Sequence, residues 1–254
     1  MDYDELCKKL VTAPEILVRG NAIKELSTVH LTPTFHLYET PKRSLLKNSP
    51  RSYLLAELAW YFNGDRTINY ISTYSKFWSN IVEGGVVNSN YGFLTMYEKL
   101  PSGLTPVEWC VNTLQKDINS RQAIILYNKP AYIKDTKDFV CTQTQQFLFR
   151  NNRLNSIVYI RSSDFIRGLS FDIPWWQLLN NLVANTLGVR CGSLDVFIGS
   201  SHCYKEHYNI LESMSNDVWQ KYKISTKLHL SDVIKKQGLW NIPRVIQAVN
   251  IEQV

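Results

Sequence analysis

Thr144-Gln145-Gln146-Phe147-Leu148-Phe149-Arg150-Asn151-Asn152-Arg153-Leu154-Asn155-Ser156-Ile157-Val158-Tyr159-Ile160 is the stretch from which the fold can be read outward. Two strand-like runs, 144–149 and 154–160, flank Arg150-Asn151-Asn152-Arg153. Asparagine tolerates the left-handed backbone of a tight turn, so the stretch predicts an antiparallel hairpin. Upstream, Leu54, Leu55, Leu58, Ala59 and Phe62 recur at helical spacing over 52–62 and stop at Asn63-Gly64, with Glu57 inside the helix. Val107, Cys110, Val111 and Leu114 repeat the pattern over 106–119, and Ala123-Ile124-Ile125-Leu126-Tyr127 then reads as a buried strand. Downstream, Leu178, Leu179, Leu182, Val183 and Leu187 predict a helix from about Ile173 to Leu187, stopped by Gly188. A strand over 194–198 is expected to give way to a polar loop or helix start at Gly199-Ser200-Ser201-His202-Cys203-Tyr204. Strands and helices mix without a regular βαβ cadence, which predicts an α+β class.

The 254 residues are 44% hydrophobic and 20% charged, enough to bury a large core and too apolar for a disordered chain. No linker composition and no repeat breaks the chain, so it is read as one domain over 1–254. A net charge of +6 suits a phosphate-bearing partner, but the basic residues are scattered, as at Lys8-Lys9, Lys42-Arg43 and Lys235-Lys236. Neither a polybasic arm nor a nucleic-acid module is expected. The five cysteines, at 7, 110, 141, 191 and 203, have no metal-ligand spacing, and their sparse, odd number fits a reducing compartment. The start Met1-Asp2-Tyr3-Asp4-Glu5 is acidic where a secretory signal is basic, and no apolar run approaches membrane-spanning length. The cytoplasm is the expected location, with no metal and no membrane.

Cys141 stands apart from the other four cysteines. It begins a predicted strand, where its sulfur can face a cavity, and Arg161 on the adjacent hairpin strand can help stabilise a thiolate. Taken singly, such residues have plain structural roles. Glu57 can be a satisfied buried carboxylate, Arg161 an ion-pair partner, and His202 a cap or core histidine.

The order Glu57-Leu58-x-Trp60 with Gly64-Asp65, Asn90-Tyr91-Gly92, Ser120-Arg121, Cys141, Arg161-Ser162-x-Asp164, Gly168-Leu169-x-Phe171 and His202-x-Tyr204 resembles the thymidylate synthase family. The match covers roughly residues 19 to 207, and so many ordered blocks outweigh the structural reading of each residue. The resemblance implies a mixed β-sheet covered by helices and a sheet-to-sheet homodimer. It implies that Cys141 adds to C6 of a pyrimidine nucleotide and that 5,10-methylenetetrahydrofolate supplies a one-carbon unit to C5. Arg161 and Ser162 would hold the 5′-phosphate, with Arg121 from the second subunit and Arg19 as a further candidate; Arg121-Gln122 departs from the family's Arg-Arg. His202 and Tyr204 would bind the sugar. Asp164 and Trp78 would meet the folate, Glu57 would organise water and move protons, and Tyr91 would help remove the C5 proton.

Asp172 sharpens the substrate. Thymidylate synthases have Asn at the matching position, whereas the family's deoxycytidylate hydroxymethylase branch, typical of bacteriophages, has Asp. An ionised Asp accepts hydrogen bonds only, so it suits the cytosine amino group and repels the uracil O4, a discrimination of roughly 1–3 kcal/mol per unmatched group. It can also share the proton of N3 as the adduct forms. A helix N-cap before Ile173-Pro174 is the structural alternative for Asp172. The expected activity is that of a deoxycytidylate 5-hydroxymethyltransferase. A dUMP-using thymidylate synthase or hydroxymethylase, a dCMP methyltransferase, a CMP hydroxymethylase and a non-catalytic nucleotide-binding homologue stay open.

Overall fold

The computed structural model describes residues 1–39, 50–130 and 135–254; the basic pair Lys42-Arg43 lies outside them. In chain order the elements begin with α1 (Tyr3–Val11), β1 (Glu15–Val18), β2 (Asn21–Leu31), β3 (Leu37–Glu39), α2 (Pro50–Asn63), α3 (Phe77–Ile81), α4 (Pro106–Lys116) and β4 (Ile124–Leu126). They continue with β5 (Thr142–Arg150), β6 (Arg153–Asp164), α5 (Leu169–Leu187), β7 (Arg190–Tyr204), α6 (Tyr208–Ser215), β8 (Gln220–Thr226), α7 (Leu230–Lys235), α8 (Ile242–Ala248) and β9 (Val249–Gln253). The class is α+β, as the residue patterns predict. A six-stranded sheet in the order β1-β2-β7-β6-β5-β4 is antiparallel except for the parallel pair β6 and β7, and β3-β8-β9 form a smaller sheet.

The 144–160 hairpin is the centre of the large sheet. Asn151 and Asn152 both take positive φ, 53° and 59°, and close β5 onto β6 with Arg150 opposite Arg153. Along β6, Leu154, Ser156, Val158 and Ile160 are buried while Tyr159 is exposed, the period-two alternation of a sheet with one covered face. The cover is α5, which carries the chain from β6 to its parallel neighbour β7 and is buried along nearly its whole length, Ile173 to Ala184. Gly188 ends it in the left-handed conformation, φ 69°. The helix α2 is buried on all sides from Leu54 to Phe62, so it lies inside the molecule rather than on it.

Two expectations are corrected. Strand β7 does not give way at Gly199 but runs unbroken to Tyr204. Its polar end is held by main-chain pairing on both sides, Ser200 with Ser27 of β2 and with Ser162 of β6, and pairing overrides the polar composition. Helix α5 starts at Leu169, earlier than about Ile173, and the residue at its N-cap is Gly168, which has no side chain to cap with. Asp172 is therefore in the first turn and is not the cap. The ends of other elements shift by less: α4 stops at Lys116 and β4 spans only Ile124–Leu126.

Candidate active site

Cys141 immediately precedes β5, where the pairing with β6 shifts register between Thr142 and Thr144. Such an irregularity turns a side chain away from the regular alternation. Arg161 fixes the chain here: its Nε donates to the Val140 carbonyl (3.2 Å), its Nη2 to the Phe139 carbonyl (2.6 Å), and its guanidinium lies over the Phe139 ring at 4.9 Å. The same Nη2 is 3.3 Å from Cys141 Sγ. Burial pushes the Cys141 thiol up to about 11, Arg161 pulls it down, and Asp172 and Asp138 push it up again. The resting sulfur is thus a thiol beside one cation. Cys7, Cys110 and Cys203 are buried in the core, and Cys191 accepts hydrogen bonds from Gln177 and Asn181.

Tyr91 reaches the same place from another segment. Its hydroxyl accepts the Thr142 N–H at 3.4 Å, next to Cys141. Burial, followed by Asp172 and Cys141, raises Tyr91 well above the usual phenol range, so it keeps its proton. The residues before it are clamped by Asp138, a buried carboxylate that accepts from Asn88 N–H (2.5 Å), Ser89 N–H (3.0 Å) and Ser89 Oγ (2.6 Å). Asn90 is wholly buried; its amide donates to the Asp65 carbonyl and its oxygen caps Phe93 N–H. At Gly92 a Cβ would stand 1.8 Å from the Tyr61 carbonyl oxygen, so the segment can pass α2 only as glycine.

On α2, Tyr53, Glu57 and Tyr61 follow one another at helical i, i+4 spacing and share a face. Glu57 is 5% exposed, and its Oε1 accepts from the Tyr53 hydroxyl at 2.8 Å. Burial raises Glu57 to about 7 against the hydrogen bonds from Tyr53 and Tyr61, which lower it. Trp78, also buried, donates its Nε1–H to the Tyr53 oxygen at 2.9 Å and packs on Trp60, ring centroids 4.8 Å apart. Asp172 completes the enclosure from α5. Its charge acts on Cys141, Tyr91, Tyr53 and Tyr61, and burial with Glu57 nearby pushes its carboxyl well above the ordinary range. The push is opposite to the permanently ionised Asp172 expected from sequence, because a carboxyl desolvated beside another carboxyl favours its protonated form.

The ends of β6 and β7 supply the next group. Asp164 pairs in register with His202, and Ser162 with Ser200. Asp164 Oδ1 accepts the N–H groups of Ile166 (2.8 Å) and Arg167 (3.1 Å), while its buried Oδ2 has no partner. His202 is buried with an unpartnered Nδ1, and its ring meets Tyr204 edge to face at 5.2 Å. Burial and Asp164 raise the Tyr204 phenol, and Arg19, exposed at the tip of the β1–β2 hairpin, is among the charges that oppose the rise. Arg121 is exposed ahead of β4, and its charge is not among those acting on Cys141. The single chain thus brings together Cys141, Arg161, Tyr91, Glu57, Trp78 and Asp172, sets Ser162, Asp164, His202, Tyr204 and Arg19 at the strand ends, and leaves Arg121 apart. Sequence reading missed Tyr53, Tyr61 and Asp138, although the first two are displayed by their i±4 spacing from Glu57.

A family model described as thymidylate synthase matches residues 2–248. The chain belongs to the thymidylate synthase family. Among curated relatives of this family member, the deoxycytidylate 5-hydroxymethyltransferase of Enterobacteria phage T2 is 30% identical over 178 residues, which are 65% of this chain and 71% of the phage protein. Its counterpart in Enterobacteria phage T4 is 30% identical over 174 residues, 63% of this chain and 70% of that protein. Thymidylate synthase family enzymes are folate-dependent one-carbon transferases that bind a nucleotide and use methylenetetrahydrofolate as co-substrate, and homodimers are typical of them. Two features here fit a folate: the orphaned Asp164 Oδ2 is an acceptor open to an N–H donor, and Trp78 brings an aromatic ring to the group around Tyr53 and Glu57.

Proposed function

We propose that the chain, acting as one catalytic domain, is a deoxycytidylate 5-hydroxymethyltransferase: dCMP, 5,10-methylenetetrahydrofolate and water give 5-hydroxymethyl-dCMP and tetrahydrofolate. The observation that carries this reading is Asp172, an acid in the first turn of α5 that caps nothing and is held by burial in its proton-bearing form among Cys141, Tyr91 and Glu57. Asparagine would offer uracil the same donor and acceptor without the desolvation of a carboxyl. A proton-bearing acid gains over an amide where a ring nitrogen must take up a proton during the reaction, and cytosine N3 becomes more basic as sulfur adds to C6. Uracil N3 already carries its hydrogen.

In this mechanism Arg161 and Ser162, with Arg121 from a second subunit and Arg19, bind the phosphate, and His202 and Tyr204 hold the sugar. Cys141 Sγ passes its proton to a water molecule in the site as dCMP binds beside Arg161 and then bonds to C6, while Asp172 shares its proton with N3 and accepts from the N4 amino group. The electron pair thus placed at C5 would bond to the one-carbon unit that the folate supplies, and loss of the C5 proton with departure of tetrahydrofolate would leave an exocyclic methylene on C5. Tyr91, fully protonated, helps remove the C5 proton by orienting a water molecule through its hydroxyl rather than acting as a phenolate. Glu57 accepts a proton from the water that adds to the exocyclic carbon, and Cys141 leaves C6 to restore the aromatic ring. Asp164 and Trp78 orient the folate. None of the described helices is long and apolar enough to cross a membrane, and we place the enzyme in the cytoplasm.

The test is turnover of dCMP against dUMP in the wild type and in Asp172→Asn. The wild type should make 5-hydroxymethyl-dCMP without forming dihydrofolate, and the substitution should lower the dCMP preference by about five- to 150-fold, since one unmatched polar group is worth roughly 1–3 kcal/mol. An unaltered base preference would remove Asp172 from the argument, and dihydrofolate formed in step with product would replace water by hydride.

A further inference from the structure

A polar line enters the cleft wall with its direction fixed by chemistry. The Trp78 indole N–H can only donate, and it donates to the Tyr53 oxygen at 2.9 Å. The single proton of Tyr53 is directed to Glu57 Oε1 at 2.8 Å. Tyr61 adds a second donor to that carboxylate from one turn further along α2. Tyr53 also lies edge to face on Phe171, the neighbour of Asp172, with ring centroids 4.7 Å apart. The groups facing Glu57 are Tyr53 and Tyr61 from α2, Trp78 through Tyr53 from α3, and Asp172 from α5, while Tyr91 meets Tyr61 with ring centroids 5.8 Å apart. Among the described residues that act on Glu57 there is no cation. Its ionised form is therefore supported by phenolic hydrogen bonds instead of charge.

We propose that Tyr53 is a positioning residue for Glu57, fixing the carboxylate in one orientation and holding it ready to accept a proton from water, with Trp78 locking the phenol in place. This deepens the hydroxymethylation reading and rests on it for the identity of the water. The physical reason is the asymmetry of a buried carboxyl. Its anion needs donors, and a line that begins at an indole N–H leaves Tyr53 no other direction in which to send its proton.

Tyr53→Phe removes the donor and keeps the ring. A hydrogen bond to a charged group corresponds to about one pKa unit or somewhat more, so the acid limb of turnover, set by Glu57, should move up by about one unit. Turnover at pH 6 should then fall about tenfold, turnover at pH 9 should change by less than about twofold, and the KM for dCMP should hold. Tyr53→3,5-difluorotyrosine, a stronger donor of nearly the same shape, should move the limb down. Carboxylate infrared titration, taken as the difference from Glu57→Gln, reads the same shifts in the free protein. A Glu57 titration that stays put in both Tyr53 variants, or a loss equal at every pH, overturns the positioning role. Absence of 5-hydroxymethyl-dCMP from the wild type at any pH overturns the hydroxymethylation reading instead, and the infrared shifts still decide the role of Tyr53.

Discussion

Cys141 shows how little a residue's identity says about its state. The sequence placed it at the start of a strand with Arg161 across from it, and both features are present, with Nη2 at 3.3 Å from the sulfur. Whether the thiolate dominates could not be read from the sequence, because the balance between burial and one guanidinium depends on how much water the fold removes. Here burial prevails, and the thiol sits at about 11. Alkylation of the free enzyme by iodoacetamide should therefore rise with pH through the range above 9 and show no plateau near neutrality. Arg161→Gln should shift that rise further up and lower turnover by at least about tenfold, since it removes both the cation beside the sulfur and the phosphate ligand proposed above. Rapid alkylation at pH 7, unchanged by the substitution, would contradict the role given to Arg161. Asp172 illustrates the same limit: its type was legible in the sequence, but its protonation was not.

Among the elements, those with a strong local signal were readable. The 144–160 hairpin, helix α2 with its Asn63-Gly64 stop and helix α5 with its Gly188 stop depend on periodicity and turn chemistry, which are properties of neighbouring residues. The polar end of β7 and the start of α5 were misread because strand pairing and the chain's path out of β6 set them. The close pass of the Tyr91 segment over α2 is another feature without a local signal. Gly92 has ordinary negative φ, so its reason is the Tyr61 carbonyl 1.8 Å from where a Cβ would be. Gly92→Ala should destabilise the fold by roughly 1–3 kcal/mol or more, the range for forcing extra volume into a packed site, and displace Tyr91. A melting temperature within experimental error of the wild type would refute this account. The turn that follows, Phe93–Tyr97, is a π-helix, a form often found beside functional residues.

At the scale of the molecule, one face of the large sheet is covered by α5 and the other carries a stack of rings. His30 lies flat on Phe197 at 4.4 Å and Phe197 on Tyr159 at 5.1 Å, and Tyr159 is 47% exposed. We propose this face as the contact of the family-typical homodimer, in which Arg121 would serve the neighbouring site. Tyr159→Glu should then yield monomers in sedimentation and lose dCMP turnover. Mixed and reassorted Cys141→Ser and Arg121→Gln enzymes should recover activity at about a quarter of the sites, because half the dimers are mixed and each holds one intact site. No recovery on mixing would place Arg121 outside the site. The sequence by itself determined the family and the hairpin around which the sheet is built, and it singled out Cys141, Glu57, Asp164 and Asp172 as candidates, because residue type and spacing record chemistry and local geometry directly. The tertiary structure alone decided that Tyr53 and Tyr61 point their hydroxyls at Glu57, that Asp138 clamps the approach to Tyr91, and that Asp172 and Cys141 favour their protons. These depend on distances between segments remote in the chain and on the water that their packing excludes.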